Sequence, residues 1–181
     1  SIGAKTCFAY DPSNGKEIWF VEFPSHSAAA RPFFDGEKVY ISTGYGKTDL
    51  FAIRPDGHGN VTDSKIEWIY KKNVPRRSSF LVLDKRIYMV DDGGVVTCLN
   101  SGNGEMIWRE KLGGNHSASL IHTNGLIYSF NEFGDSRQFK AADTFTIVRE
   151  NKLDVGMLAS PAVKENSLIL RTKTHLYRID P

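Results

Sequence analysis

A motif that recurs about every forty residues constrains this chain more than any other feature. Its complete copy, AYDPSNGKEIW, has four marker residues: Ala9, Asp11, Gly15 and Trp19. The motif returns as CLNSGNGEMIW, with the same four places held by Cys98, Asn100, Gly104 and Trp108. Between these copies, an interrupted one keeps Ala52 and Trp68 around an inserted loop. Self-similarity at such a period is typical of arrays in which one small structural unit is repeated.

A second marker runs in step with the first. Four polar turns are each followed by a strand-like segment (VYISTG, IYMVDD, IYSFNE and ILRTKT), which aligns Tyr40, Tyr88, Tyr128 and Leu170. The steps between these positions are 48, 40 and 42 residues, and the longest step contains the inserted loop. In a degraded fourth copy of the first marker, the alignment of TIVRE with MIWRE predicts that Val148 takes the tryptophan place.

Each repeat reads as four short β-strands separated by turns. The dipeptide Asn124–Gly125 is a strong hairpin signal, and the strand segments are rich in β-branched and aromatic residues. No segment shows a sustained helical period of apolar residues with caps. Four-stranded units at this period are typical of β-propeller blades. We therefore predict an all-β propeller of antiparallel blades, with about four blades in this chain, as part of a seven- or eight-bladed ring.

The predicted blade boundaries follow the repeat. They are the last strands of one blade over residues 4–23, three blades over 25–73, 76–112 and 115–153, and an incomplete blade over 156–181. Because the first and last blades are incomplete, we expect self-association, by closure with a second copy or through exposed sheet faces. The chain begins at Ser1 without a charged and apolar leader, so we expect a mature product or a piece of a longer protein.

The marker residues have structural roles that can be predicted. The side chains of Asp11 and Asn100 can accept hydrogen bonds from backbone N–H groups two residues on, and Gly15 and Gly104 can adopt a positive φ without steric cost. We predict that Trp19, Trp68 and Trp108 cover the gap to the next blade, with the indole N–H bonded to a carbonyl. The alternative is that these rings stack on a ligand.

Composition excludes several classes of function. The formal net charge is +2 and no run of Lys or Arg exceeds two residues, so the chain lacks the charge pattern of a nucleic-acid-binding protein. Its apolar stretches are too short to span a membrane. Cys7 and Cys98 form no C-x-x-C pair and lie in apolar strand-like contexts, which predicts buried thiols and no zinc site.

Three other groups of residues are candidate sites. The insert Asp56–Asp63 alternates oxygen-bearing side chains and has Glu67 at the twelfth place of a calcium-loop window, but Val61 stands where such a loop needs glycine. We therefore predict an elongated hairpin loop there. His26 and His116 recur in SHSAAA and NHSAS, which predicts side chains near the axial channel that bond to a neighbouring blade, with an anion or metal site as the alternative.

The third group is the basic segment KKNVPRR. It is most simply a solvated loop, although an acidic partner could use its four charges, which belong to Lys71, Lys72, Arg76 and Arg77. Exposed loops of this kind are where a rigid scaffold usually carries its function.

The repeat, with alanine, acid, glycine and tryptophan at these spacings, resembles the PQQ-like (quinoprotein-type) β-propeller family over nearly the whole chain. RPFFDGEKVYISTGYGKTDLFAIRPDGHGNVT, LGGNHSAS and ASPAVKENSLILRTKTHLYRID are similar to the C-terminal part of secreted bacterial PQQ-binding-like β-propeller repeat proteins. The resemblance implies a periplasmic or extracellular location. Quinone-dependent dehydrogenases of this family use adjacent cysteines, a calcium ion held by Glu, Asn and Asp, and an Asp base.

This chain has no adjacent cysteines. We therefore expect a non-enzymatic binding or scaffold module, with no catalytic residue, no metal site and no cofactor assigned, that engages a protein or small ligand through its loops. One alternative is a part of a PQQ-dependent dehydrogenase. Another is a sensor propeller of a kinase-related protein or a scaffold of the outer-membrane-assembly type.

Overall fold

Eighteen β-strands form the regular structure of residues 1–153 and 155–180, which are the residues that the computed structural model describes. In chain order the strands are β1 (Thr6–Tyr10), β2 (Glu17–Glu22), β3 (Phe33–Phe34), β4 (Val39–Ser42), β5 (Leu50–Ile53), β6 (Gly59–Asn60), β7 (Ile66–Tyr70), β8 (Leu81–Leu83), β9 (Arg86–Val90), β10 (Val95–Asn100), β11 (Met106–Lys111), β12 (Ile121–Thr123), β13 (Leu126–Phe130), β14 (Asp135–Lys140), β15 (Ile147–Lys152), β16 (Ala162–Lys164), β17 (Ser167–Arg171) and β18 (Leu176–Ile179). These residues contain no α-helix, and accordingly none long and apolar enough to cross a membrane.

The strands form five successive sheets, which we call the first to fifth blades. The first blade contains β1 and β2, the second β3, β4, β5 and β7, the third β8 to β11, the fourth β12 to β15, and the fifth β16 to β18. Within each blade, strands that follow one another in the chain pair antiparallel. The predicted all-β fold of four-stranded antiparallel blades is confirmed. Pro181, at the end of the incomplete blade predicted over 156–181, lies outside the described residues.

The insert between β5 and β7 differs from the elongated hairpin loop predicted from the sequence. It reaches back to the first blade, where β6 pairs in parallel with β2 through Trp19↔Gly59 and Phe20↔Asn60. The Val61 N–H also donates to the Phe20 carbonyl at 2.9 Å. The outer edge of a sheet carries unpaired backbone N–H and C=O groups, and this insert satisfies those of β2.

Apolar side chains fill the layers between adjacent blades. Between the second and third blades the buried set includes Tyr40, Leu50, Ile87, Met89 and Leu99. Between the third and fourth blades it includes Tyr88, Val96, Trp108, Ile127 and Phe139. Alternate residues of each strand point to opposite faces, so each blade contributes to two of these layers.

The tryptophans dock each blade against the next, as predicted. Trp68 in the second blade donates its Nε1–H to the carbonyl of Ser101 in the third at 3.2 Å. Trp108 in the third blade donates in the same way to Ala142 in the fourth at 2.9 Å and is only 8% exposed. Trp19 is buried in the layer between the first and second blades, but the described residues offer its indole N–H no hydrogen-bond partner, so the predicted bond is present for Trp68 and Trp108 only.

The fourth copy of the motif differs from the sequence alignment by one residue. Gln138 of β14 pairs with Arg149, just as Cys98 of β10 pairs with Trp108, so Arg149 and not Val148 occupies the tryptophan place. The cause is a longer turn: Lys140 bonds to the carbonyl of residue 146, six residues on, whereas Asn100 bonds to that of residue 105, five residues on. The strand β15 is exposed along its whole length.

The turns between the third and fourth strands of the blades have the predicted geometry. Asp11 Oδ1 accepts the N–H of Ser13 at 2.8 Å, and Asn100 Oδ1 accepts that of Gly102 at the same distance. Gly15 and Gly104 have φ angles of 71° and 74°. The predicted self-association stays a prediction, for which the exposed apolar residues of the fifth blade are relevant: Val163, Leu176 and Ile179.

Candidate functional site: the basic loop

Residues 71–77, which we call the basic loop, connect the last strand of the second blade to the first strand of the third. Because neighbouring strands run antiparallel, connections that leave the second and fourth strands of a blade emerge at the same end of the propeller. The basic loop therefore lies beside the turn between β9 and β10, which contains Asp91 and Asp92. Function in a propeller usually lies on such loops, since the blades beneath them are rigid.

Hydrogen bonds from both adjacent blades hold the basic loop in one shape. Asn73 donates its side-chain amide to Asp91 Oδ2 at 2.6 Å, and the N–H of Arg76 donates to Asp92 Oδ1 at 3.1 Å. On the other side, the hydroxyl of Ser42 donates to the carbonyl of Pro75 at 2.6 Å. Asn73 adopts a positive φ of 51°, a conformation that asparagine tolerates better than most residues.

Arg77 stabilises the propeller and is not free for a partner. Its Nε lies 3.2 Å from Asp92 Oδ2 in the third blade, and its Nη1 lies 3.2 Å from Glu132 Oε1 in the fourth. Glu132 also accepts a hydrogen bond from the hydroxyl of Ser117 at 2.6 Å. Of the four basic residues in the sequence motif, this one joins two blades.

Arg76 lies over an aromatic side chain that the sequence did not single out. Its guanidinium carbon is 5.3 Å from the centre of the Tyr45 ring, which is 37% exposed. On the same ring, His26 is stacked at 6.4 Å with an angle of 19° between the planes. A cation held over a ring face keeps its charge while its side chain loses conformational freedom. The stack of His26, Tyr45 and Arg76 therefore presents a cation to solvent in a fixed position.

The acidic residues nearby, Asp91 and Asp92, are engaged within the protein and form no ion pair with Lys71, Lys72 or Arg76 in the described part of the chain. Asp91 accepts the N–H groups of Gly93 and Val95 at 3.0 and 2.8 Å in addition to the amide of Asn73. Asp92 is bonded to the backbone of Arg76 and to the side chain of Arg77. The side chains of Lys71, Lys72 and Arg76 remain exposed.

A polar cleft of about 390 Å³ opens beside the loop and leaves room for a side chain of a partner. Its lining is Gly46, Thr48, Lys71, Asn73, Val74, Arg76, Asp91, Asp92 and Gly93.

The two recurrent histidines lie in different environments, which corrects their predicted equivalence. His116 is buried, and its Nε2 and Nδ1 lie 3.0 Å from the Ser129 hydroxyl and 3.3 Å from the Gly114 carbonyl. Both partners of the ring belong to its own blade or to the loop before it. A neighbouring blade is reached only by the backbone N–H of His116, which donates to the carbonyl of Asp92. His26 is exposed beside Tyr45. The described residues bring together no group of three or more His, Cys, Asp or Glu that could hold a metal ion.

Lowering the pH is expected to destabilise the fold through His116. Burial lowers the pKa of His116 below its ordinary value of about 6.5, because the imidazolium would lose its hydration. The unfolded chain therefore binds this proton more readily, and the stability contributed by neutral His116 falls as the pH drops below about 6.5. Between pH 7 and pH 5, the free energy of unfolding measured with urea should fall less for His116→Gln than for the parent. His58→Gln, which removes an exposed histidine, is the control. If the free energy of unfolding falls equally in the two variants, His116 is not the group responsible.

The first and twelfth places of the calcium-loop window, Asp56 and Glu67, are engaged in ion pairs within the protein. Asp56 pairs with Lys65 at 3.0 Å, and Glu67 pairs with Arg54 and lies 3.5 Å from Lys38. Val61, at the place where a calcium loop needs glycine, is buried between the first and second blades. The insert therefore acts as a structural cover of the outer strand β2.

A larger cavity of about 740 Å³ lies at the opposite end of the second and third blades, lined in part by Phe34, Asp35, Lys38 and Lys85. Two of its charged groups, Asp35 and Lys38, are engaged within the protein. Asp35 accepts the hydroxyl of Tyr40 at 2.8 Å and two backbone N–H groups. Lys38 is neutralised by Glu37 at 3.2 Å and by Glu67. The basic loop is the stronger candidate site, because Lys71, Lys72 and Arg76 are exposed and form no ion pair among the described residues.

Both cysteines are free and buried, as predicted. Burial raises the pKa of the Cys98 thiol to about 12 and also raises that of Cys7, so neither is a reactive thiolate at neutral pH.

Comparisons with known proteins agree with the fold. A family model described as outer membrane protein assembly factor BamB matches residues 3–124, a range that contains the basic loop. No curated protein sequence matches the chain. Among solved structures, BamB from Moraxella catarrhalis superposes with a TM-score of 0.74 at 16% identity, covering 94% of this chain and 53% of that one.

Two further structures share the fold. The computationally designed Ika8 protein gives a TM-score of 0.72 at 13% identity, with coverage of 93% of this chain and 50% of the other. A europium-containing methanol dehydrogenase gives 0.54 at 15% identity, covering 67% of this chain and 24% of the enzyme. The chain thus spans about half the length of the first two proteins. At these identities the similarity concerns the β-propeller fold.

Proposed function

Because the chain belongs to the family of the outer membrane protein assembly factor BamB, we propose that it is a non-enzymatic propeller scaffold of the bacterial cell envelope. Its site is the basic loop, and its partner is a protein with an acidic surface. The proposed location is the periplasm, where a factor for outer-membrane protein assembly would meet its partners.

One observation carries this proposal: three exposed cations stand on a loop that two blades hold rigid. Lys71, Lys72 and Arg76 are exposed, while the nearest carboxylates, Asp91 and Asp92, are bonded within the protein. A positioned row of charges at the rim of an interface accelerates association and selects partners of opposite charge. A flexible loop would lose more conformational entropy on binding, so the anchors also favour affinity.

Reversing charges in the basic loop is expected to impair assembly of outer-membrane proteins in the source bacterium. A strain with Lys72→Glu and Arg76→Glu should contain less outer-membrane β-barrel protein and approach a strain that lacks the scaffold. A photo-reactive residue at the place of Tyr45 should lose its cross-link to the partner in the same variant. Lys164→Glu, at an exposed position of the fifth blade, is the control. Normal β-barrel content with the double variant present at normal levels would contradict the proposal.

The dehydrogenase alternative is tested with the purified protein. We expect no dye-linked oxidation of alcohols or sugars after incubation with calcium and pyrroloquinoline quinone. Quinone-dependent activity that disappears when an acidic residue is replaced would overturn the non-enzymatic assignment.

A further inference from the structure

The pairing of β6 with β2 shows what the outer edge of a blade in this protein can bind. An extended segment, residues 59–62, lies along the edge and uses backbone groups of β2 that would otherwise be unpaired. The Phe20 carbonyl accepts the N–H of Val61 at 2.9 Å, and the N–H of Glu22 donates to the hydroxyl of Thr62 at 2.9 Å.

Two side chains of the inserted segment complete this contact. Val61 is only 2% exposed and packs in the layer between the first and second blades. Asn60 donates its amide to the carboxylate of Glu22 at 3.0 Å. The edge thus recognises a polar residue, which bonds to Glu22, followed directly by an apolar residue, which is buried.

The outer edge of β7 in the second blade is an equivalent place without a cover. The strand β7 ends its sheet, and no strand among the described residues pairs with its outer side. The register relates the two edges, because Trp68 pairs with Ala52 as Trp19 pairs with Ala9. Ile69 therefore corresponds to Phe20. Lys71 corresponds to Glu22, so the charge at this position is reversed.

A groove of about 370 Å³ lies between β7 and the outer strand of the third blade. It is lined by Ile69, Tyr70, Lys71, Lys72, Met106 and Arg109. Ile69 and Met106 are 42% and 50% exposed, and the groove brings these two apolar side chains together. Val61 of the insert fills the space between the outer strands of the first and second blades. The groove is the equivalent space between the outer strands of the second and third blades.

The charges of this groove define what could fill it. Lys71, Lys72 and Arg109 are cations, and the guanidinium of Arg109 is oriented by the hydroxyl of Tyr70. Where Glu22 accepts a hydrogen bond from the insert, Lys71 can only donate one. A segment that pairs with β7 as the insert pairs with β2 therefore needs an acceptor at that place, and a carboxylate is the best match.

We propose that the free edge of β7 binds an extended segment of a partner protein in which an acidic residue is directly followed by an apolar one. The segment adds in parallel to residues 68–71, its carboxylate meets Lys71, and its apolar side chain enters the groove beside Met106. This is strand addition at a sheet edge, in which backbone bonds supply affinity and side-chain places supply specificity. The proposal does not depend on the function of the basic loop, with which the edge shares Lys71 and Lys72.

Peptides derived from the insert test this proposal. The probe is GHGDVTDS, which is residues 57–64 with aspartate at the place of Asn60, and its matched control is GHGKVTDS. In amide NMR titrations of the protein, we expect saturable shifts at Ile69 and Lys71 and at least fivefold tighter binding of the aspartate peptide. The Lys71 amide should also exchange more slowly, since it corresponds to the bonded amide of Glu22.

Three variants with the same change of charge locate the site. Lys71→Glu should abolish or reverse the preference between the two peptides. Lys111→Glu, at the equivalent place of the next outer strand, and Arg76→Glu, in the basic loop, should leave it unchanged. Because Arg76→Glu impairs the basic loop alone, failure of the edge site and failure of the proposed function can be told apart.

Three outcomes would overturn the proposal. They are the absence of saturable shifts at Ile69 and Lys71, an unchanged peptide preference in Lys71→Glu, and a dimer in mass measurements that Lys71→Glu dissociates. The last result would assign the edge to a second copy of this chain.

Discussion

Replacing Trp108 by alanine is expected to lower the free energy of unfolding by about 3–5 kcal/mol, the usual cost of emptying a buried aromatic site. The indole packs on Phe139 and Phe145 of the fourth blade and donates a hydrogen bond to Ala142 at 2.9 Å. The substitution removes this contact area and leaves the carbonyl without its donor. Urea denaturation followed by circular dichroism measures the loss.

Arg149→Ala is the matched control, because Arg149 occupies the same place of the motif on an exposed strand. We expect its effect to stay within about 0.5 kcal/mol, as for most surface substitutions. A loss of less than about 1 kcal/mol for Trp108→Ala, together with the loss of a bound ligand, would show that the ring serves recognition and not blade docking.

Replacing Gly104 by alanine is expected to cost about 2–4 kcal/mol, from a positive φ and from overpacking against the preceding blade. A Cβ at Gly104 would lie 2.7 Å from Cε3 of the Trp68 ring and 2.8 Å from its Cδ2. Trp68 cannot move away freely, since its Nε1–H is bonded to Ser101 at 3.2 Å. Thermal and urea unfolding measure the cost.

Gly15→Ala separates the two contributions to this cost. Gly15 has the same place in the motif and a similar φ of 71°, but a Cβ there would meet no atom within 4 Å. We expect Gly15→Ala to cost about 1 kcal/mol, from the backbone alone. In a Trp68→Ala background, the cost of Gly104→Ala should fall to that level. Equal costs for the two glycines in the parent would show that contact with Trp68 contributes nothing.

The docking of the blades also determines the geometry of the basic loop. Asp91 and Asp92, which anchor this loop, belong to the third blade, whereas the loop continues the second. A change that shifts one blade relative to the other therefore displaces Arg76 from Tyr45. For this reason, variants of Trp68 or Gly104 should be checked for stability before any loss of partner binding is assigned to recognition.

The family model and the solved structures agree with the fold predicted from the repeat, and the reason is local. The alternation of strands, the turns at Asp11 and Asn100 and the positive φ of Gly15 depend on interactions within a few residues of the chain. Because the same short motif recurs along the chain, each copy strengthens the prediction of a blade at the others. The burial of Cys7 and Cys98 was predictable from their apolar neighbours.

Features that depend on contacts between distant parts of the chain could not be predicted. The insert pairs with β2 mostly through backbone groups, which are the same in every residue, so its sequence carries no mark of the pairing. The place of Arg149 depends on a turn that is one residue longer, and the stacking of His26, Tyr45 and Arg76 joins residues from three separate loops. The sequence shows which residues form the blades. Which charges remain free on the surface depends on how the blades meet, because that arrangement pairs Arg77 with two carboxylates and leaves Arg76, Lys71 and Lys72 exposed.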